Sequence, residues 1–325
     1  MNILVIRRDN IGDLLCTTPM LHSLRQQQPD AWIGVLANSY NGPILEGNPD
    51  VDQVFVYRKG KHREPGETLL SVWWATLKQL WALRRRRLDL IIVASPGGGK
   101  FARWIGARQI VEHGQERGRG HEVEITQRLL SNVGMTAVPG PMHLAPDPQV
   151  QRRLLCQIPA LNDCRYRIAV HLSARKIRQR WPEENFIALI QELLHQGAAE
   201  QVLVFWAPGA ESDPMHPGDD AKAERVLAAL AGEPVYPIVT HSLAELVAGL
   251  AAADMVICAD GGAMHIAAAL GKPVLAMFGN SSVEQWRPWA VPHEVLQPVS
   301  QDVRDLSVDQ VVAAVNRLRQ SANTP

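Results

Sequence analysis

Short apolar runs alternate with amphipathic, helix-length segments along most of the chain. The apolar runs fall at residues 3–6, 31–37, 53–57, 89–95, 167–172, 201–206, 255–259 and 273–278. Strands that are covered by helices on both faces read as nearly continuous apolar runs, and helices between them favour parallel pairing. The pattern therefore predicts an α/β protein built from doubly wound parallel sheets.

The alternation occurs twice, on either side of a segment rich in proline at residues 139–148. We therefore predict two Rossmann-like domains that face each other across a cleft, with residues 1–145 in the first and 146–325 in the second. Ser307 and Gln310 form a capping box for a final helix over 308–319, and this helix could pack back on the first domain.

A glycine turn at residues 260–262 separates the strand at 255–259 from a predicted helix over 263–270. Gly261 and Gly262 carry no side chains where that helix begins, so its free N–H groups can face an anion. Asp260 and His265 flank the opening. The alternative is a tight turn with Asp260 as a helix cap and His265 as a core residue. A second polar loop at 279–282 ends the neighbouring strand at the same sheet edge, which favours a ligand with a phosphate group.

In each predicted domain, the loop that follows the first strand carries candidate functional residues. Asp13 lies just past a glycine in the first, where it is a candidate general base or ligand contact, or else a helix cap. The second loop, residues 173–182, carries four cations in six positions before a predicted helix. Cations at a helix N-terminus suit a pyrophosphate group.

Composition narrows the function classes. The 325 residues include 33 basic and 33 acidic side chains, so nucleic acid would have to be bound by a local patch, and we predict no nucleic-acid partner. Four scattered cysteines indicate reduced thiols in a cytosolic protein, and no apolar run is long enough to cross a membrane. No G-x-G-x-x-G follows the first strand, which disfavours a nicotinamide dehydrogenase. The Pro96–Lys100 run lacks the other residues of a phosphate loop and is interpreted as a flexible turn in the cleft.

One segment, residues 68–87, departs from the rest in composition. Its apolar positions recur at helical spacing, and it ends in four arginines, Arg84 to Arg87. A basic amphipathic helix that contains tryptophan can lie on an anionic membrane surface. Alternatively, Leu69, Leu70, Trp73, Leu77, Leu80 and Trp81 face the core and the arginines suit the helix C-terminus.

Five stretches together resemble glycosyltransferase family 9, the lipopolysaccharide heptosyltransferases. They are ILVIRRDNIGDLLCTTPML (3–21), NPDVDQVFVY (48–57), RWPEENFIALI (180–190), SLAELVAGLAAADMVICADGGAMHIAAALGKPVLAMFG (242–279) and WRPW (286–289). The resemblance implies a GT-B fold and inverting transfer of a sugar without an obligatory metal ion. It implies no other cofactor either, because the ADP-sugar is itself a substrate. The implied donor is ADP-L-glycero-D-manno-heptose, and the implied acceptor is the anionic inner core of lipopolysaccharide. The enzyme would be cytoplasmic and peripheral at the inner membrane.

The resemblance also implies roles for individual residues. Asp13 matches the catalytic base in the first, acceptor-binding domain. In the second, nucleotide-sugar-binding domain, the expected donor contacts are Ser173, Arg178, Arg180, His241, Asp260, Gly261, Gly262 and His265. Asp260 would hold sugar hydroxyls, His241 would line the base, and the others would contact the phosphates. Candidate acceptor contacts are Asn10, Arg58, Lys59, Lys61, Arg63, Lys100 and Arg103.

The chain departs from the family pattern at two positions. Gln179 occupies the place of a phosphate-binding lysine, for which Lys176, Arg178 or Arg180 could substitute, and Gly261 replaces a residue with a hydroxyl group. The ribose-binding glutamate could be Glu211 or Glu224. These departures leave open two alternatives: the same reaction with a different nucleotide-sugar donor or glycan acceptor, or a degenerate relative that binds without turnover.

Overall fold

The chain folds into two compact units, Met1–Leu144 and Ala145–Pro325. The structure is a computed structural model, and it describes residues 1–57, 68–113, 118–162, 165–213 and 218–322. Within these ranges none of the helices is both long and apolar enough to cross a membrane.

The first unit is built on a parallel sheet with the order β3-β2-β1-β4-β5 in its described part. The strands are β1 (Asn2–Ile6), β2 (Trp32–Asn38), β3 (Gln53–Tyr57), β4 (Leu88–Val93) and β5 (Ala107–Glu112). The central strands β1 and β4 are almost entirely buried, because helices cover the sheet on both faces.

The helices of this unit are shorter than the sequence pattern suggests. They are α1 (Ile11–Leu15), α2 (Thr18–Gln27), α3 (Leu69–Arg85), α4 (Gly99–Ile105) and α5 (Glu122–Gln127), with 3₁₀ turns at Gly42–Leu45 and Arg128–Val133. The Asn10–Asp13 loop is in fact the start of α1. The turn expected at residues 96–100 is present at 96–98 but ends there, because α4 begins at Gly99. Thr17 is the N-cap of α2.

The second unit contains a parallel sheet with the order β11-β10-β9-β6-β7-β8 in its described part. The strands are β6 (Arg167–His171), β7 (Gln201–Phe205), β8 (Val235–Ile238), β9 (Met255–Ala259), β10 (Val274–Met277) and β11 (His293–Leu296). Its core includes the fully buried Trp181, whose indole N–H donates to the Leu306 carbonyl at 3.0 Å.

The helices of the second unit follow the predicted order. They are α6 (Pro148–Gln157), α7 (Glu183–His195), α8 (Asp220–Ala229), α9 (Leu243–Ala251), α10 (Gly262–Ala269), α11 (Val283–Trp286) and α12 (Val308–Ala322), with 3₁₀ turns at Pro159–Asn162, Ile177–Gln179 and Val303–Asp305. Helix α12 packs on α7, β10 and β11 of its own unit. Its predicted capping box is confirmed, since the Ser307 N–H donates to Gln310 and the Gln310 N–H to Ser307.

Both predicted doubly wound sheets are confirmed, but β5, β8 and β11 were missed. These strands lie at sheet edges and are short or partly exposed, so they lack the continuous apolar run that marks a central strand. Missing these strands does not change the predicted position of the site, because the loops that carry Asp13 and Asp260 follow other strands.

Helix α3 packs on its sheet in an unexpected orientation. Leu80 and Leu83 are buried, whereas Leu70, Trp73 and Trp81 are more than half exposed. The prediction that all of the apolar positions face the core is therefore wrong for these three; the side chain of Leu69 lies outside the described residues.

Candidate active site

The strand order of each sheet reverses at one point, and polar residues gather there. The first strand of each unit pairs with a strand from each half of that unit: β1 pairs with β2 and β4, and β6 with β7 and β9. Loops diverge at such a reversal, and open α/β sheets bind ligands in the resulting crevice. Asp13 follows β1, and Asp260 follows β9. Both aspartates therefore lie at the reversal point of their own sheet.

The Asp13 carboxylate is held from both sides. Its Oδ1 atom accepts a hydrogen bond from Arg7 Nη2 at 2.8 Å. Its Oδ2 atom accepts from the Asn10 backbone N–H at 3.1 Å and from the Asn10 side-chain amide at 2.9 Å. Asp13 is thus the third residue of α1 and closes its capping box, whereas the N-cap itself is Asn10 rather than Asp13. The cap and the ion pair together fix the orientation of the carboxylate.

Arg7 connects Asp13 to the rest of the unit. The Arg7 side chain is fully buried, and Nη2 also donates to Glu122 Oε1 at 2.7 Å. Nη1 donates to the Ala94 carbonyl at the end of β4. Burial opposes the charge, but Asp13, Glu122 and Asp9 outweigh it, so the pKa of Arg7 is raised above its ordinary value. Arg7 is therefore a permanent cation that bridges β1, β4 and α5 behind Asp13.

In the second unit, Asp260 and the first residues of α10 form an open turn. Gly261 is the N-cap and is exposed, and a Cβ atom built on it would meet nothing within 4 Å. The first N–H groups of a helix have no partners within it, so a ligand can approach them here. His265 is buried and its ring meets the edge of Trp286 at 5.9 Å between centroids.

Gln179 closes the other side of the Asp260 turn. The side chain is buried, and its amide donates to Asp260 Oδ2 at 2.8 Å and to Ser281 Oγ at 3.1 Å. Lys176 Nζ lies 3.2 Å from the same Ser281 Oγ. The loop after β10 fits closely here, since a Cβ on Gly279 would lie 2.6 Å from the Arg178 carbonyl oxygen. Gln179 thus joins the three loops that follow β6, β9 and β10.

The three cations proposed to replace a charge at position 179 have different surroundings. Lys176 reaches the Ser281 loop directly. The Arg180 guanidinium donates to the Ala174 carbonyl at 2.9 Å and lies 3.5 Å from Glu211. Arg178 is exposed. Lys176 therefore contacts the same serine as Gln179, which is the partner of Asp260.

Ser173 and His171 stabilise the loop after β6. Ser173 Oγ accepts a hydrogen bond from the Ala207 N–H at 2.8 Å, which ties this loop to the end of β7. His171 Nδ1 lies 3.2 Å from the Ser173 carbonyl oxygen. Desolvation lowers the pKa of His171 to about 4, so the ring is neutral at pH 7. The Ser173 hydroxyl hydrogen can still be donated to a ligand.

The remaining donor candidates follow β7 or β8 or lie on α8. His241 is exposed after β8, and its N–H donates to Glu245 at 2.7 Å. Since β6 and β7 separate β8 from β9, the strand before His241 lies roughly three strand spacings, about 14 Å, from the strand before Asp260. Glu211 and Glu224 are both exposed, and only Glu211 has a described ion pair, with Arg180.

The acceptor candidates are only partly described. Asn10 is exposed and contacts Asp13. Lys100 and Arg103 lie on α4, after the strand that pairs with β1, and Arg103 lies 3.5 Å from Glu112. The other four candidates, Arg58, Lys59, Lys61 and Arg63, lie outside the described residues.

Residues that reasoning from sequence missed are Arg7, Glu122 and Ser281. Arg7 and Arg8 are adjacent in the chain, yet one is fully buried and the other half-exposed. Both follow β1, which is buried on both faces, so no alternation of polar and apolar residues indicated this difference. Glu122 carried no signal, since it contacts Arg7, the partner of Asp13, across 115 positions of the chain.

Known proteins share this arrangement of two parallel α/β units. A family 9 glycosyltransferase from Veillonella parvula DSM 2008 superposes with a TM-score of 0.83 at 18% identity, covering 98% of this chain and 97% of the other. The E. coli heptosyltransferase WaaC with ADP-2-deoxy-2-fluoro heptose superposes with a TM-score of 0.73 at 19% identity, covering 98% and 99%. The fold is accordingly that of the GT-B glycosyltransferases.

Sequence comparison gives the family. Residues 110–308 match the model of glycosyltransferase family 9 (heptosyltransferase). Lipopolysaccharide heptosyltransferase 3 of Escherichia coli is 25% identical over 350 residues, covering 96% of this chain and 98% of that relative. The chain belongs to glycosyltransferase family 9, the heptosyltransferase family.

Proposed function

We propose that this chain transfers L-glycero-D-manno-heptose from ADP-heptose to the inner core of lipopolysaccharide, with inversion at the anomeric carbon and without a metal ion. The proposal rests on the family, on relatives whose names specify lipopolysaccharide heptosyl transfer, and on a neighbour solved with an ADP-heptose analogue. The protein would work on the cytoplasmic face of the inner membrane as a peripheral enzyme.

Asp13 is the proposed general base. As the acceptor hydroxyl oxygen attacks the anomeric carbon, the Asp13 carboxylate takes the hydroxyl proton. The bond from the anomeric carbon to the donor phosphate oxygen breaks in the same displacement, and ADP leaves with that electron pair. Attack from the face opposite ADP inverts the configuration. The bonds from Arg7 and Asn10 keep the carboxylate in one orientation throughout.

The Asp260 turn is the proposed donor site. Asp260 would accept hydrogen bonds from heptose hydroxyls, while the N–H groups of Gly261 and Gly262 and the cation of Lys176 would stabilise the charge of the departing diphosphate. Arg178, Arg180, Ser173 and His265 remain proposed phosphate contacts, and His241 a proposed contact of the base.

The observation that carries the proposal is the fixed carboxylate of Asp13 at the reversal point of its sheet, in a chain of this family. If the Asp13 carboxylate served only to cap α1, its hydrogen bonds with Asn10 would be sufficient and the ion pair with Arg7 would not be needed. The buried Arg7 adds a costly charge behind it.

The donor is tested by turnover. Purified protein would be incubated with a heptose-deficient lipopolysaccharide core and with ADP-heptose, UDP-glucose or GDP-mannose, and the product measured by mass spectrometry. We expect a mass increase of one heptose with the ADP sugar only. Faster transfer from another nucleotide sugar would show that ADP-heptose is not the preferred donor.

The neutral Gln179 beside Asp260 supports one alternative, a relative that binds a nucleotide sugar without turnover. Binding of ADP-heptose by calorimetry, with no product after prolonged incubation with core acceptors, would favour that alternative.

A further inference from the structure

Helix α3 exposes a face that a protein in water normally buries. Leu70, Trp73, Trp74 and Trp81 are 72%, 66%, 70% and 55% exposed. Spacings of three, four and seven residues place these four side chains on one side of the helix. Leu80 and Leu83 of the same helix are buried in the core of the first unit, so the exposure is not a fraying of the helix.

The aromatic face continues onto the neighbouring helix. Trp104 of α4 is 44% exposed, and the Arg84 guanidinium donates to its backbone carbonyl. The Arg84 Cζ atom lies 6.0 Å from the Trp104 ring centroid. We name the side chains of Leu70, Trp73, Trp74, Trp81 and Trp104 the tryptophan face. Contiguous exposed apolar surface on this scale marks an interaction site.

The surroundings of the tryptophan face are strongly basic. Residues 69–87 contain Lys78 and the four arginines at 84–87 but no acidic residue, although the whole chain has no net charge. Arg85 Cζ lies 4.4 Å over the Trp81 ring, and Arg87 is exposed. An anionic partner is therefore complementary to the rim, while the indole rings suit an environment with both apolar and polar groups.

We propose that the tryptophan face and its arginine rim form the surface by which this protein binds an anionic lipid bilayer. Indole rings concentrate at the boundary between lipid headgroups and acyl chains, and arginines next to them attract anionic headgroups. The helix lies on the membrane without crossing it. The inference deepens the proposed function, since it assigns the membrane contact to particular residues.

Lipid binding can be measured without donor or acceptor. Wild-type protein would be floated with vesicles of phosphatidylcholine containing 30% phosphatidylglycerol, and with vesicles of phosphatidylcholine alone. We expect binding to the anionic vesicles that weakens at least tenfold when salt is raised from about 0.05 to 0.5 M, because the charge contribution is screened. Failure to float would overturn this inference while leaving the transfer reaction untouched.

Two variants separate the aromatic and basic contributions. Replacing Trp73, Trp74 and Trp81 with serine, or Arg85 and Arg87 with glutamate, should lower the vesicle-bound fraction at least tenfold. Unchanged circular dichroism and unchanged transfer to a detergent-solubilised acceptor would show that the fold and active site remain. Lipids brominated on their acyl chains should quench the tryptophan emission of the wild type and have little effect on the triple variant.

Matched controls use exposed residues elsewhere. Replacing Val138 and Val299, which are 91% and 104% exposed, with serine, or Arg152 and Arg153 with glutamate, should leave the bound fraction within twofold of the wild type. Equal losses in these controls would contradict a localised surface. A second pair of results would also overturn the inference: the wild type does not bind vesicles, and light scattering shows that it is a dimer whereas the triple tryptophan variant is a monomer. The tryptophan face would then join two copies of the chain.

Discussion

The buried Arg7 cluster allows a quantitative prediction about stability. Arg7 Nη2 lies 2.8 Å from Asp13 Oδ1 and 2.7 Å from Glu122 Oε1, so these oxygens are at most about 5.5 Å apart, the sum of the two distances. In an Arg7→Met variant the two carboxylates would face each other without a cation. Their repulsion is about 3 kcal/mol at an effective dielectric constant of about 20, and loss of one partner of a buried ion pair costs about 3–5 kcal/mol.

Urea unfolding followed by circular dichroism measures this loss. With a slope of about 2 kcal/mol per molar urea, a loss of 3 kcal/mol lowers the midpoint by about 1.5 M. Adding Glu122→Gln to Arg7→Met removes one of the opposed charges, so the double variant should regain at least about 1.5 kcal/mol. Arg103→Gln, which breaks the exposed pair with Glu112, is the control and should change stability by less than about 1 kcal/mol.

Two results would refute the reasoning. One is an Arg7→Met variant whose free energy of unfolding falls by less than about 1 kcal/mol. The other is a double variant whose loss equals the sum of the single losses, because residues that share a charge network should show coupling above about 0.5 kcal/mol.

Three further predictions concern pH, the donor loop and metals. His171 has a folded-state pKa of about 4 against 6.5 when unfolded, so the unfolded chain binds the extra proton and stability falls as pH drops from 6.5 to 4, by at most about 3 kcal/mol. In thermal unfolding across this range, His171→Gln should flatten the slope, and an unchanged slope would contradict the assignment. Ser281→Ala removes the shared acceptor of Lys176 and Gln179, and should raise the KM for the donor about tenfold in initial-rate assays with kcat changed less; an unchanged KM would remove this loop from the donor site. Transfer rates should be equal before and after dialysis against EDTA, and loss restored by a divalent cation would contradict metal independence.

The fold was predictable because its signals are local. The central strands read as continuous apolar runs, and Ser242 and Glu245 identify the start of α9 through a capping box that the structure contains. The missed edge strands β5, β8 and β11 lack such a signal, since only one side of them is paired and their faces are partly exposed. The positions of Asp13 and Asp260 after central strands were likewise readable from the chain.

The contacts around those aspartates were not predictable, because they join residues far apart in sequence. Glu122 meets Arg7 across 115 positions, and Gln179 meets Asp260 across 81. At position 179 the sequence showed only a missing charge, whereas the structure shows an amide with both N–H groups engaged. Helix α3 was predicted only in part. The periodicity of its apolar residues identified the helix, but which side packs on the core depends on contacts with the sheet, outside this segment.

The central claim is that Asp13 takes the proton from the acceptor hydroxyl. Replacing it with asparagine keeps the size and most of the geometry but removes the basic carboxylate. With ADP-heptose and a core acceptor saturating, the rate of ADP release coupled to heptosylated product should fall by about 10²–10⁴-fold, while calorimetry shows unchanged donor affinity. An Asp13→Asn variant that transfers heptose at the wild-type rate would contradict the account.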